Sequence, residues 1–153
     1  MVKKILGVCF LVLLTFTLFV WSAQEKPEKK KAYVDIKAQR LNKMLKAKDF
    51  TLINIHIPYD GEIPQTDSFI LYDKIEENAD RLSQEKNAKI VIYCRSDRMS
   101  NIASVKLVEM GYTNVMNLKG GMKAWKASGY ALIYKENKDK KYWNRQATEG
   151  AQL

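Results

Sequence analysis

Cysteine and histidine are scarce in this 153-residue sequence, which has two of the former and one of the latter. Two cysteines cannot build a disulfide framework, and one histidine with two distant cysteines cannot complete a zinc cage. We therefore expect no metal site, and we expect no other cofactor. The length is enough for one domain of ordinary size and too short for two comfortable ones.

A nucleic-acid-binding pattern is also missing, although the formal net charge is +9. Nucleic-acid binders usually cluster basic residues with aromatic residues on one face. The only dense basic run here is residues 29–31, which we interpret as a solvated tether. Hydrophobic residues make up 46% of the sequence and charged residues 28%, a mixture that excludes a wholly disordered or collagen-like chain. We expect a globular protein that binds no nucleic acid.

The N-terminal segment has no charged side chain after its first few residues. Lys3 and Lys4 precede a 17-residue apolar run, residues 5–21. A basic start, an apolar core and a small-residue exit are typical of a secretory signal. We predict a signal peptide over residues 1–22, cleaved before Ala23, and hence an exported, periplasmic or extracytoplasmic protein. Because the run is at the short limit for a bilayer of ~30 Å, an uncleaved membrane anchor is the alternative, and only then would the chain contact a membrane.

Strand and helix patterns alternate along the rest of the chain. We divide it into a polar linker (residues 23–33), one domain (residues 34–134) and a charged tail (residues 135–153). The patterns predict helices at 36–48, 73–84, 100–110 and 121–128, strands at 52–55, 89–93 and 115–118, and a loop at 58–68. Such alternation indicates an α/β fold with a mainly parallel sheet.

One cysteine follows the most strand-like stretch of the sequence. Residues 89–93 contain a β-branched run typical of a strand buried on both faces, and Cys94 comes directly after it. Ligands of open parallel sheets bind beyond the carboxyl ends of the strands. In a tight turn there, backbone N–H groups form an anion-binding nest before the next helix, and Arg95 and Arg98 add positive charge. These effects favour thiolate over thiol and predict a nucleophilic, anion-seeking Cys94.

The alternative for Cys94 is a structural cysteine that packs as a small apolar side chain. Because the residues after it are mostly polar, we expect its thiol to face solvent. Phosphatases with a cysteine nucleophile need an arginine six positions after the cysteine to bind the phosphoryl oxygens. That position is Ser100 here, and Arg98 comes too early. The smaller loop favours a single sulfur atom as the target, and sulfur transfer over phosphoryl transfer.

Two segments of the chain carry a family resemblance. The first is residues 90–96, followed by Arg98 and Ser100. The second comprises residues 111–115, Leu118, Gly120, Gly121, Ala124, Trp125, Gly129 and Tyr130. Together they resemble the single-domain rhodaneses, a thiosulfate sulfurtransferase family, and the similar spacing extends from residue 34 to residue 132. The resemblance implies a five-stranded, mainly parallel sheet flanked by helices, with an active-site loop at residues 94–99.

The resemblance also implies a reaction. The Cys94 thiolate would attack the outer sulfur of a small anionic donor such as thiosulfate, release sulfite and form a cysteine persulfide. A thiol, cyanide or a protein would then accept the sulfur. Cys94 is the implied catalytic nucleophile, and the implied substrate- and persulfide-binding residues are Arg95, Ser96, Asp97, Arg98, Met99 and Ser100. A sulfur-carrying or partner-binding module with little turnover is the alternative function on the same fold.

The sequence departs from the family pattern at three places. Asp97 stands where the family has glycine, residues 54–56 read Asn-Ile-His instead of Asp-Val-Arg, and residues 61–65 differ from Gly-His-Ile-Pro-Gly. The Asp97 carboxylate would repel thiosulfate unless a loop arginine neutralised it, and aspartate would be strained if the turn required a left-handed residue. We therefore predict that Asp97→Gly raises thiosulfate turnover. We interpret His56 as structural, with a position near the site as the alternative.

Overall fold

The computed structural model describes residues 32–135, so the predicted signal segment, most of the predicted linker and all but the first residue of the predicted tail lie outside the described residues. The elements are β1 (Val34–Ile36), α1 (Ala38–Leu45), β2 (Thr51–Asn54), β3 (Ser68–Phe69), a 3-10 helix (Ala79–Arg81), β4 (Ile90–Tyr93), α2 (Arg98–Glu109), β5 (Val115–Leu118) and α3 (Gly121–Ala127). No helix among them has the length and apolar character needed to cross a membrane.

The five strands form one sheet in the order β1-β5-β4-β2-β3, and every neighbouring pair is parallel. The central strand, β4, has all of its side chains buried. Helical crossovers cover both faces of such a sheet, which is why its inner strands are apolar on both sides. The predicted α/β fold with a five-stranded parallel sheet flanked by helices is confirmed.

Each face of the sheet contributes to its own apolar cluster. Ile92 belongs to the cluster that contains Leu107 of α2. Tyr93, the next residue along β4, belongs to the opposite cluster, with Leu41 of α1 and Trp125 of α3. Successive side chains of a strand point to opposite faces, so one strand anchors both clusters. Because the strands are parallel, their carboxyl ends lie at one edge of the sheet.

The buried Tyr93 hydroxyl holds the loop that follows β2. It accepts a hydrogen bond from the backbone N–H of Ile63 at 3.0 Å and lies 2.6 Å from Thr66 Oγ1. Burial raises the pKa of the Tyr93 hydroxyl above its usual value, so the group stays protonated and available for this network. The loop carrying Asp60 and Gly61 is thereby fixed beside the carboxyl end of β4.

Three predicted elements differ from the structure. Ile36, predicted as helical, ends the edge strand β1, and the predicted loop at 58–68 leads directly into the two-residue strand β3. The helix predicted at 73–84 is wrong, because only a 3-10 helix forms there, at Ala79–Arg81. Ile75 and Leu82 are the only buried residues of that stretch, too few for the apolar stripe that a packed helix needs.

Candidate active site

The Cys94 thiol lies directly after β4, at the carboxyl edge of the sheet. The residue is only 2% exposed and belongs to the apolar cluster on the α2 side of the sheet. The prediction that this thiol faces solvent is therefore wrong: strand alternation directs the side chain toward the face that α2 covers, whatever the polarity of the following residues. Its polar neighbour is Ser100, whose Oγ lies 3.5 Å from the Cys94 Sγ.

Ser100 can serve the thiol in either charge state. Its hydroxyl donates to the backbone carbonyl of Asp97 at 3.1 Å, which leaves the oxygen free to accept a proton from the Cys94 thiol. When Cys94 is a thiolate, rotation of the same hydroxyl aims its proton at the sulfur. The side chain is completely buried in the first turn of α2, so its position is well defined.

The backbone around the thiol presents a row of hydrogen-bond donors. Within residues 32–135, the N–H groups of residues 95–99 donate to no other group of the protein. The predicted loop at residues 94–99 is shorter than expected, because α2 begins at Arg98 and includes Met99. The donors therefore come from three loop residues and the first turn of a 12-residue helix, an arrangement that favours an anion.

The Asp97 carboxylate is directed at the turn between β5 and α3. Its Oδ1 accepts hydrogen bonds from the Gly120 backbone N–H at 2.9 Å and from Asn117 Nδ2 at 3.4 Å, and its Oδ2 lies 3.4 Å from Lys119 Nζ. Its charge is thus partly neutralised by a lysine that the sequence analysis did not consider. The backbone φ of Asp97 is −177°, an extended value, so the anticipated left-handed strain is absent.

The first residues of α3 hold the loop from the other side. The Met122 N–H donates to the Cys94 carbonyl at 2.9 Å, and the Lys123 N–H donates to the Arg95 carbonyl at 3.0 Å. This approach requires glycine at position 121, where φ is +55° and a Cβ atom would lie 2.2 Å from the Cys94 carbonyl oxygen. The Gly-Gly pair of the sequence therefore has a specific role in the contact with the cysteine loop.

The remaining predicted site residues are exposed or half-buried. The Arg95 guanidinium pairs with Asp60 at 3.5 Å and its side chain is 56% exposed. Ser96 and Arg98 are exposed, and Met99 is half-buried against the α2-side cluster. Neither arginine is the partner of the Asp97 carboxylate, contrary to the pairing considered from the sequence. The structure thus brings Cys94 and Ser100 together, ties Asp97 to the turn before α3, and leaves the arginine side chains exposed.

Asn117, which the sequence analysis missed, lies under the loop. It is completely buried near the end of β5, and its Nδ2 donates to Asp35 Oδ1 at 2.7 Å, to Asn101 Oδ1 at 3.3 Å and to Asp97 Oδ1 at 3.4 Å. One amide thereby links β1, α2 and the cysteine loop. The sequence offers one signal of this role: Asn117 is the polar residue of an otherwise apolar strand, β5, and lies near its carboxyl end.

His56 lies at the carboxyl end of β2, the strand next to β4. It is 8% exposed, and its backbone N–H donates to Asn54 Oδ1 at 3.0 Å. Burial lowers the pKa of the imidazole; the nearby Arg95 lowers it further, while Asp60 opposes the shift. The lowered pKa indicates a neutral histidine, and the influence of Arg95 indicates that it lies near the start of the cysteine loop.

Comparison with known proteins identifies a family. Residues 37–128 match the family described as rhodanese-like domain. A sulfurtransferase of Allochromatium vinosum is 41% identical over 51 residues, which cover 33% of this chain and 48% of the relative. The adenylyltransferase and sulfurtransferase UBA4 of Meyerozyma guilliermondii is 34% identical over 71 residues, which cover 46% of this chain and 15% of the relative. The chain therefore spans less than half the length of either curated relative.

A solved structure shares the same architecture. The Alr3790 protein from Anabaena is 25% identical, with a TM-score of 0.60, over 74% of this chain and 93% of that one. Its similarity extends over most of the domain, so the arrangement of strands and helices described above is that of a known fold.

Proposed function

Because the chain belongs to the rhodanese-like domain family, we propose that it is a sulfurtransferase that carries a sulfane sulfur as a persulfide on Cys94. The observation that carries this proposal is the buried Cys94 thiol beside a row of backbone N–H groups without acceptors within residues 32–135. Those donors suit the negative charge of a thiolate and then of a persulfide. The similarity to a curated sulfurtransferase supports the same reaction class.

In the first half-reaction the Cys94 thiolate attacks the outer sulfur of thiosulfate. A sulfur–sulfur bond forms to Cys94, the sulfur–sulfur bond of thiosulfate breaks, and its electron pair leaves with sulfite. We assign the persulfide anion to the N–H groups of residues 95–99, which have no acceptor within residues 32–135, and to the Ser100 hydroxyl, which lies 3.5 Å from the Cys94 Sγ. Arg95 and Arg98, which are exposed, attract the donor dianion, and dissolved salt screens this attraction.

In the second half-reaction an acceptor removes the outer sulfur. A thiolate or cyanide attacks that atom, the bond to Cys94 breaks, and the electron pair returns to the Cys94 sulfur. The thiolate is regenerated without an oxidant or reductant.

Cys94→Ser tests this assignment in the full chain. A serine alkoxide is far less accessible than a thiolate at neutral pH, so we expect the variant to fold normally and form no persulfide. Intact mass after thiosulfate treatment, with peptide mapping, measures one added sulfur and locates it. A sulfur adduct that persists in the variant would contradict the role of Cys94.

A sulfur-carrying module with little turnover is the second candidate. Two observations favour it: the thiol is only 2% exposed, and Asp97 adds a negative charge to the loop. Thiocyanate formation from thiosulfate and cyanide separates the candidates, because a carrier forms the persulfide without sustained turnover.

We also propose that the chain is exported. The support is the basic start and the apolar run at residues 5–21. N-terminal sequencing of protein from the native host is expected to give a start near Ala23. Recovery of an intact Met1 start in the membrane fraction would instead favour the anchor and contradict cleavage.

A further inference from the structure

The two helices on one side of the sheet carry charge of a single sign. α1 and α3 both pack on the apolar cluster that contains Tyr93, and neither helix has an acidic residue. The Gln39 side chain of α1 donates to Ser128 Oγ, at the end of α3, at 3.3 Å, which joins the two helices at their surface. We refer to the exposed cations of these helices and of the two caps of α1 as the basic face: Lys37, Arg40, Lys43, Lys46, Lys123 and Lys126.

The cations of the basic face have no carboxylate partners. None of them forms an ion pair within residues 32–135. The other lysines of that range differ: all pair with a carboxylate except Lys86, which lies over the Tyr112 ring at 4.1 Å from its centroid. Lysines elsewhere on the described domain thus have partners within it, whereas the charge of the basic face is left for an external anion.

The opposite side of the sheet carries an excess of negative charge. Residues 73–85 pack on the other apolar cluster through Ile75 and Leu82. Besides two basic residues, this segment has five exposed acidic residues: Asp73, Glu76, Glu77, Asp80 and Glu85. A domain whose charges are separated in this way is oriented by an anionic surface, with the basic face toward that surface.

The composition of the basic face favours one kind of anionic partner. Single-stranded nucleic acids bind to surfaces with aromatic side chains on which the bases stack, but α1 has no aromatic residue and Trp125 of α3 is 2% exposed. Protein interfaces have cores from which lysine is depleted. Across residues 37–47 and 121–127, the exposed side chains other than the cations are those of Gln39, Ala47 and Ala127. An anionic membrane surface needs no aromatic or apolar contact, because each lysine or arginine near it adds its own attraction.

The N-terminal sequence supports a membrane as this partner. The apolar run at residues 5–21 has two interpretations, a signal peptide and an anchor, and either of them brings the chain to a membrane. Residues 22–32 follow that run with four lysines and two glutamates. Basic residues next to a membrane segment are attracted by anionic lipids, so these residues favour the same surface as the basic face does.

We propose that the basic face docks the domain on an anionic phospholipid surface. Its lysines and its arginine pair with headgroup phosphates, and the acidic segment at residues 73–85 faces away from the lipid. The Cys94 thiol packs on the α2 side of the sheet, so docking through α1 and α3 does not cover it. The docking does not depend on sulfur transfer, and either proposal can fail without the other.

Lysine footprinting of the full chain shows which side meets the lipid. Brief acetylation with a membrane-impermeant reagent, mapped by peptide mass, compares vesicles of phosphatidylglycerol and phosphatidylcholine with vesicles of phosphatidylcholine alone. The apolar run is present in both samples, so only the lipid charge differs. We expect the anionic vesicles to lower labelling of the basic-face lysines by at least about threefold and to leave Lys74, Lys86 and Lys106 unchanged. Salt at about 1 M, where the Debye length is ~3 Å, should restore the labelling.

Two triple variants separate the basic face from net charge. Lys43→Gln with Lys46→Gln and Lys123→Gln removes half of the face, so the remaining lysines, Lys37 and Lys126, should lose their protection on anionic vesicles. All three substituted positions are exposed, so we expect the variant to fold normally.

The matched control, Lys74→Gln with Lys86→Gln and Lys106→Gln, removes the same net charge from the α2 side and should keep the wild-type protection of the basic face. Equal labelling on both kinds of vesicle, or the same loss of protection in both triple variants, would overturn the proposal. Poly-L-glutamate and an RNA oligonucleotide, tested in place of the vesicles, represent the other anionic partners. Protection by either of them with none by anionic vesicles would also overturn the proposal and assign the face to an acidic protein or to nucleic acid.

Discussion

A single side chain, Asp97, combines two opposing effects on the site. Its negative charge disfavours a thiolate and an incoming thiosulfate dianion. Its Oδ1, however, accepts the Gly120 N–H and so ties the cysteine loop to the turn before α3. Because φ at Asp97 is extended, a glycine there relieves no strain, and although it removes the charge it also loses the tie. The structure therefore reverses our expectation from the sequence for Asp97→Gly.

We expect Asp97→Asn and Asp97→Gly to change activity in opposite directions. Asparagine keeps the Oδ1 acceptor and removes the charge; two charges ~6 Å apart in a water-like dielectric repel by roughly 0.7 kcal/mol, so persulfide formation should accelerate about threefold at low salt. Glycine removes the same charge but also loses the acceptor that positions the loop, and because we expect the loss of positioning to outweigh the charge effect, the reaction should slow and stability should fall by about 1–2 kcal/mol.

Stopped-time mass analysis of persulfide formation and urea unfolding measure both effects of the Asp97 substitutions. The salt dependence provides the control, because only the charge effect should shrink at high ionic strength. A faster reaction in the glycine variant would mean that the tie to Gly120 has no role in positioning the loop.

At the scale of elements, the site depends on how closely the start of α3 approaches the cysteine loop. A Cβ at position 121 would lie 2.2 Å from the Cys94 carbonyl oxygen and 2.8 Å from the Ser96 backbone nitrogen. Real Cβ atoms do not come so near, so the loop or the helix would have to move. The same loop carries the N–H groups assigned to the persulfide, so a displacement here affects function as well as stability.

Gly121→Ala should therefore impair both the fold and the reaction. We expect persulfide formation to slow by at least tenfold and stability to fall by more than the ~1–2 kcal/mol of a left-handed alanine. Gly129→Ala is the matched control, because φ is +83° there and a Cβ would meet nothing within 4 Å. Gly129→Ala should lose only the stability that the left-handed backbone costs an alanine, and it should form the persulfide at the wild-type rate. A wild-type rate in Gly121→Ala would argue against the close contact.

At the scale of the whole molecule, one histidine links stability to pH. His56 is the only histidine of the sequence, and burial lowers its pKa below the ordinary value of 6.5. The folded state therefore binds fewer protons than the unfolded state just below that pH. Stability is fully present above pH 6.5 and declines as the pH falls from there toward the lower pKa of the folded state.

His56→Gln should flatten this pH dependence. Glutamine preserves a polar, uncharged side chain that does not titrate, while most carboxylates become protonated only below about pH 5. Urea unfolding at about pH 7.5, 6.5 and 5.5 compares the two proteins across the range where histidine titrates. The wild type should lose stability over this range and the variant should not. Parallel slopes would show that another group is responsible.

The elements that could be predicted from the sequence are those with a strong local pattern. The apolar, β-branched run of β4 can be recognised as a strand without knowing which strands pair with it, and Cys94 follows it directly. The helix after the cysteine and the strand β5 were also predicted, with boundaries off by at most two residues. The sequence by itself thus determined the α/β alternation and the position of the thiol at a strand end.

Tertiary structure decided the features that depend on distant parts of the chain. The edge strand β1 is stabilised by pairing with β5, and its three residues, Val-Asp-Ile, are too few for their alternation to reveal a strand. The partners of Asp97, at residues 117–120, lie on another strand and turn, and α2 decides how deeply the thiol is buried. Local patterns reflect backbone preference and amphipathicity, whereas the direction of a carboxylate and the burial of a thiol are set by atoms that only folding brings together.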